Sequence, residues 1–554
     1  MNRRRAELLA LGRRSQQVLL LSALTGALVG AAVALFDWVT SDELFARVAR
    51  APAAVQAVAP LVGLALAALA LRHLARGATP SSSDEYIRNF HEQDRRLPLR
   101  LVPGRMLAGV ATIGLGGALG LEGPSIYLGA SVGSFLQRKF ARVFSREDAK
   151  LLLVAGAAAG VAAIFKAPAT GAIFAIEVPY QDDTARRMLL PALTGAAVSY
   201  LVFVTIAGTA PLLPVRGTAP FDLEDLGGAA LMGLLCGIGA RAFALVLRRA
   251  KSEPTRLPAT VRIAAAGALL GGLFVASRVL FGAGLTTGPG YRTVEWATDP
   301  RHSIAAVLAL LLMRSAATAL TVGGGGAGGL FIPLVIDGAL LGRAVGALFG
   351  DASGSLFPVI GIAAFLGAGY RTPLAGVMFV AESTGRPGFV VPGLLASVVA
   401  QVVMSRSSVT PYQRSARAGH LERRRSLPLS VAIRSDVLTA PPDATVAEFV
   451  SNHLLLARQK SVPVLDGTRY VGMVRAEDLV SVPRDGWSAT TVQEILREDL
   501  PVGRPDWLLG QALAAMEKAD VDVLPVVDGA GSFVGVVSTD EVFKLEEILD
   551  QTEE

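Results

Sequence analysis

The sequence predicts an all-α integral membrane domain with inverted repeats, followed by a smaller α/β domain that is itself a tandem pair. Three observations point there. Of 554 residues, 52% are hydrophobic and 18% charged, with a mean hydropathy of +0.49, whereas a soluble chain carries roughly 25% charged residues. Apolar runs of spanning length follow one another from about residue 18 to residue 404. Within that region two sequence blocks recur in the same order at a nearly fixed distance.

The chain opens with a basic stretch, residues 1–16, that carries Arg3, Arg4, Arg5, Arg13 and Arg14. The apolar run behind it, 18–36, is longer than the roughly 7–15 residues of a signal-peptide core, so it reads as a first span. Further apolar runs cover 53–72, 101–136, 151–178, 188–207, 227–248, 262–281, 303–321, 328–349, 356–381 and 389–404, defining a membrane domain over 17–415. Several match the roughly 20 residues a spanning helix needs, but others are long and broken by Gly and Pro. Broken helices survive at membrane depth only where protein or a water-filled cavity satisfies the freed backbone, which points to a transport pathway. A second basic cluster, Arg414, Arg417, Arg423, Arg424 and Arg425, leads into a linker over 416–430. Positive charge flanking a span favours the cytosol. A multi-pass protein of a bacterial-type inner or plasma membrane, with both termini cytosolic, is therefore expected. The net charge of +6 sits at the edges of apolar runs rather than in one stripe, which argues against a nucleic-acid partner. Lone Cys236 excludes a disulfide scaffold.

Phe165-Lys-Ala-Pro168-Ala-Thr-Gly171-Ala-Ile-Phe174-Ala-Ile-Glu177 matches Tyr370-Arg-Thr-Pro373-Leu-Ala-Gly376-Val-Met-Phe379-Val-Ala-Glu382 at an offset of 205. Upstream, Gly120-Leu-Glu-Gly-Pro124 with Gly129 and Gly133 matches Gly329-Leu-Phe-Ile-Pro333 with Gly338 and Gly342 at an offset of 209. Two related halves predict a site at their interface, built from the ends of discontinuous helices. Both Gly-rich blocks open a helix, and the unpaired N–H groups of a helix start favour anions. Glu177 and Glu382 occupy equivalent helix ends and are expected to cap or bond there.

The tail repeats as well. Val462-Pro-Val-Leu-Asp-Gly with Tyr470-Val-Gly-Met-Val parallels Leu524-Pro-Val-Val-Asp-Gly with Phe533-Val-Gly-Val-Val. This pattern resembles a tandem pair of CBS domains, over about 431–485 and 490–548, a fold that often binds adenosine ligands. The resemblance places phosphate and ribose contacts at a Ser or Thr three residues before an Asp. The equivalents are Arg475 with Asp478 and Ser538 with Glu541. Arg475 and Glu541 depart from that pattern, so a structural, dimerising tail without bound nucleotide is expected.

The Gly120–Pro124 and Gly329–Pro333 blocks, with Pro411-Tyr412, resemble the CLC chloride channel and transporter family over about residues 15–415. The resemblance implies a homodimer with one pore per subunit and chloride as the bound substrate. It makes Glu122 a gate whose carboxylate competes with the anion. It assigns anion contacts to Leu330 and Phe331, to the Tyr412 hydroxyl and to Gly123 beside the gate. Ser81, in Pro80-Ser-Ser-Ser-Asp84, aligns with the family's coordinating serine, but the flanking glycines and the proline of that motif are missing. Ser83 or Asp84 as N-cap of a helix over 85–91 is the other reading of that stretch.

Family exchangers usually carry a second glutamate after the one at Glu177, as inner proton acceptor. Val178 stands there. The expectation is therefore a passive voltage- or pH-gated chloride channel, with a proton-coupled antiporter as the alternative. No enzyme chemistry is expected. His91-Glu92 lacks the second histidine of a metalloprotease motif, and the five histidines with Cys236 form no metal-ligand spacing. A CBS-regulated divalent-cation channel would want acidic ligands that these spans offer sparsely.

Overall fold

The computed structural model describes residues 2–92, 97–144, 150–213, 222–252, 258–297, 299, 301–349, 356–415, 427–456 and 459–542, with residues 2–14, 252 and 456 as backbone alone. The first basic cluster therefore lies outside the described side chains, and most of the 416–430 linker outside the described residues. The chain divides into two units, 1–417 and 418–554.

In the first unit, seven helices among the described residues are long and apolar enough to cross a membrane. The long apolar runs are each two helices. Run 101–136 divides into Val102–Gly114 and Glu122–Lys139, run 151–178 into Leu151–Phe165 and Pro168–Glu177, and run 356–381 into Leu356–Tyr370 and Pro373–Thr384. At 1.5 Å per residue a 15-residue helix such as Leu151–Phe165 reaches only about 22 Å, short of a hydrocarbon core of roughly 30 Å. Two of the breaks share a local cause. Lys166 and Arg371 both take the left-handed conformation, at φ 53° and 56°. Each stands two residues before a proline that occupies the first helical position, where its missing N–H costs nothing and its ring bars the preceding turn.

The repeat is physical. Helix Glu122–Lys139 packs on Leu151–Phe165 as Phe331–Gly346 packs on Leu356–Tyr370, and the same glycines bring the backbones together. A Cβ on Gly129 would lie 2.0 Å from the Gly156 carbonyl oxygen, and one on Gly338 would lie 2.3 Å from that of Gly361. The halves run in opposite directions. Glu177, at the end of Pro168–Glu177, accepts from the Leu374 and Ala375 amides at 3.2 and 3.0 Å. Glu382, near the end of Pro373–Thr384, accepts from the Ala169 and Thr170 amides at 2.9 and 2.7 Å and from the Thr170 hydroxyl at 2.6 Å. Each helix thus caps the start of the other, so the two lie antiparallel.

In the second unit two antiparallel hairpins, Ser461–Asp466 with Arg469–Arg475 and Val523–Val527 with Phe533–Ser538, carry the same register shift at Val464/Leu465 and Val526/Val527. The preceding segment is shared between them. Arg434 pairs with Val536 of the second hairpin, and Ala440 with Val464 of the first. Leu429 sits in one core with Leu524, Val526 and Val537, while Ala440 joins Val462 and Val464 in another.

Glu382→Ala would leave two helix-start amides and a hydroxyl without their acceptor. A loss of about 2–3 kcal/mol is expected, read as a lower Tm of the detergent-solubilised full chain. Glu177→Ala, with two amides at stake, should do the same in the other half.

Candidate functional site

Three irregular segments meet between the halves. Gly120 and Gly329 pair antiparallel, the Gly120 N–H donating to the Gly329 carbonyl at 3.0 Å and the reverse bond measuring 2.7 Å. Ser81 bridges to Gly328 alongside. Glu122 begins its helix beside this seam and is fully buried. Its Oε1 accepts from the Phe331 amide at 2.6 Å, and its Oε2 is buried without a hydrogen bond. The carboxylate therefore occupies the start of the helix Phe331–Gly346, the kind of place that binds free anions. Glycine makes room for it. A Cβ on Gly120 or on Gly329 would fall 1.9 Å from a Glu122 carboxylate oxygen. Gly123 lies backbone to backbone against Gly328 and Gly329.

Phe331 offers its amide to this site and its ring to the core. The ring stacks on Phe165 at 4.2 Å and meets Phe379 at 4.9 Å and Phe174 at 5.5 Å, all at repeat-related positions. Leu330 lines a neighbouring cavity of about 350 Å³, roughly ten water volumes. The cavity wall also includes Ser81, Ser83, Tyr370, Lys251 and Tyr412. The structure thus brings Ser81, Leu330 and Tyr412 to one cavity and places Glu122, Gly123 and Phe331 at the adjoining seam. Tyr412 sits at 40% exposure with the Arg88 guanidinium 4.9 Å above its ring.

The helix behind Ser81 spans Ser82–His91 with Ser81 as N-cap and no side-chain cap bond. This corrects the expectation of a Ser83 or Asp84 cap. Asp84 is drawn instead to the Lys251 ammonium, 2.9 Å away, a partner that no local rule reveals. Lys251 donates as well to the Val409 carbonyl at 3.3 Å. Val178 is buried, and its carbonyl accepts from Gln413 at 2.9 Å. Gln413 also holds the Tyr370 carbonyl at 2.7 Å. It ties the two broken helices to the segment that carries Tyr412, a role that sequence inspection missed, because an amide next to Pro-Tyr has no signature.

In the tail, Asp478 accepts from the Arg475 amide at 2.8 Å and lies 3.6 and 3.8 Å from the Arg475 and Arg497 guanidiniums. Arg497 also holds the Asp499 carboxyl down at about 2. In the other half the Glu541 amide donates to Ser538 Oγ at 3.3 Å, and the Glu541 carboxylate meets Arg434 at 3.3 Å. Both acidic groups are occupied by arginine.

A profile described as voltage gated chloride channel matches residues 62–405, and one for the CBS domain matches 430–485 and 492–547. The H(+)/Cl(-) exchange transporter ClcA of Cronobacter sakazakii is 28% identical over 423 residues, 72% of this chain and 88% of that protein. The crystal structure of a slow cyanobacterial Cl-/H+ antiporter superposes with a TM-score of 0.63 at 22% identity, over 70% of this chain and 94% of that one. A eukaryotic CLC transporter superposes at 0.61 and 18% identity over 96% and 98%.

Gly329→Ala should force the Glu122 carboxylate off the Phe331 amide, visible as a turned side chain in an experimental structure of the variant. Gly388→Ala, in open space, should leave the site as it is.

Proposed function

The chain belongs to the voltage-gated chloride channel family and carries two CBS domains, and from that premise we propose that it exchanges chloride or a similar anion for protons across a membrane. The observation that carries this reading is the Glu122 carboxylate lodged on the Phe331 amide by a single bond, with its second oxygen unpaired. A group held this way competes with an anion for the same amide. Protonation removes its charge and weakens its hold, so proton binding and anion binding become linked through one place. The exchange named for the ClcA relatives, alike over most of this chain, supports coupling over passive conduction. A passive, voltage- or pH-gated channel is the second reading, favoured by Val178, which cannot hold a proton where exchangers of the family usually carry a carboxylate.

In this proposal Ser81, Leu330 and Tyr412 line the anion's approach to Glu122, and the Phe331 amide and Gly123 lie where the gate rests. The protein works as a homodimer with one pathway per subunit and both termini in the cytosol, and it transports rather than catalyses. The CBS pair acts as a structural and dimerising tail without a bound nucleotide, because arginines already satisfy Asp478 and Glu541.

In liposomes, an imposed chloride gradient should drive protons uphill through the native protein. Glu122→Gln should abolish that movement, keep or raise chloride flux, and flatten a pH profile that in the native protein rises toward acid. Chloride flux that never displaces protons would establish the channel reading instead. Calorimetry of the full chain with ATP or AMP should give no low-micromolar complex; a clear one would overturn the structural role of the tail.

A further inference from the structure

Exchange through Glu122 needs a second group that can hold a proton, because the carboxylate is fully buried and its surroundings are apolar. The Phe331 ring behind the gate meets Phe174 at 5.5 Å, and Phe174 and Ala175 are both buried. Nearby acids are already engaged. Glu177 and Glu382 spend both oxygens on helix starts, Asp84 is held by Lys251, and Glu85 lies 3.5 Å from Arg88. Val178 cannot titrate.

The helix Ser82–His91 leads away from the seam. It starts behind Ser81, which bridges to Gly328, and ten residues carry its axis about 15 Å outward. On the way, buried Tyr86 donates its hydroxyl to the Ala175 carbonyl at 2.6 Å, a polar point inside the apolar stretch. His91 closes the helix and is only partly buried. Its Nε2 lies 2.7 Å from the carbonyl oxygen of Pro179, the residue after Val178. The rings of Phe90 and Tyr180 meet the imidazole edge-on at 5.1 and 5.2 Å and hold it in place.

A carbonyl only accepts, so Nε2 carries the hydrogen and Nδ1 keeps a lone pair. Among the described residues Nδ1 has no hydrogen-bond partner. The charged groups about the ring are Arg414, whose amide donates to the same Pro179 carbonyl at 3.2 Å, Lys150, which donates to the Asn89 and Glu92 carbonyls, and Glu92, 3.8 Å from Arg88. Burial holds the imidazole below its ordinary pKa, with Arg414 and Lys150 adding to the shift and the Pro179 carbonyl opposing it. A proton taken here is therefore readily given up.

Resting on the exchange reading above, we propose that His91 is the proton acceptor that serves Glu122 from the end of the protein where Arg414 lies. A proton from the aqueous side bonds to Nδ1 and makes an imidazolium, while the Nε2 hydrogen stays on the Pro179 carbonyl in a bond that the charge strengthens. The Nδ1 proton then leaves by way of water, for which the Tyr86 hydroxyl oxygen still offers a lone pair, and ends on the Glu122 carboxylate. The imidazole returns to neutral and the gate becomes a neutral acid. In the proposed topology this end faces the cytosol.

The test is the number of protons moved per chloride by the full chain in liposomes under an imposed chloride gradient, with Tm recorded for each variant. His91→Gln keeps a donor for the Pro179 carbonyl but cannot titrate, and its ratio should fall by at least about tenfold. His91→Asn should do the same and serves if His91→Gln loses stability. His73→Gln, at an exposed position, should keep the native ratio. An unchanged ratio in both His91 variants would overturn the assignment and leave exchange standing, and equal falls in the His91 and His73 variants would overturn it too. A native protein that conducts chloride without moving protons would overturn the exchange reading, and the assignment with it.

Discussion

A peptide N–H at a helix start inside apolar protein has no water to bond, and leaving it bare costs on the order of several kcal/mol. Breaking helices in mid-membrane multiplies such starts, and this chain answers three of them with a carboxylate from the opposite half. Glu122 reaches Phe331, Glu177 reaches Leu374 and Ala375, and Glu382 reaches Ala169 and Thr170. These bonds join the halves in addition to their packing.

The same interaction separates a structural acid from a working one. Glu177 and Glu382 use both oxygens, on two and three donors. Glu122 uses one oxygen and leaves the other buried and unpaired. An incoming anion has one short bond to replace at Glu122, where the Ile332 amide also lies near, and both oxygens' bonds at the others. Gly120 and Gly329 keep the cradle bare of side-chain atoms, so that replacement needs no rearrangement of the walls.

Much of this is legible in the sequence, because a repeat announces itself at fixed offsets. Glu177 and Glu382 can be assigned to helix ends from their shared position alone. That each caps the other's partner helix cannot, since the bonds cross roughly 200 residues. The breaks near Pro168 and Pro373 are visible, whereas the left-handed Lys166 and Arg371 are not, because a basic residue carries no preference for positive φ. Asp84 reads locally as a cap, and its pairing with Lys251 depends on a helix end far along the chain. In the tail the duplication is plain and Arg475 stands three residues before Asp478, but Arg497 and Arg434, which also meet Asp478 and Glu541, come from other segments.

The segment ahead of the tail's first hairpin has a consequence for how the tail is made. Arg434 exchanges two backbone bonds with Val536, and Leu429 fills the core under Leu524, although the second hairpin is synthesised roughly a hundred residues later. During translation this segment waits without its partner while the first hairpin can already close, and its late docking is a long-range step that slows folding. A ribosome that stalls between the hairpins would leave the Leu429 face uncovered, and a cut placed there for convenience would leave the second hairpin without Arg434, the partner of Val536.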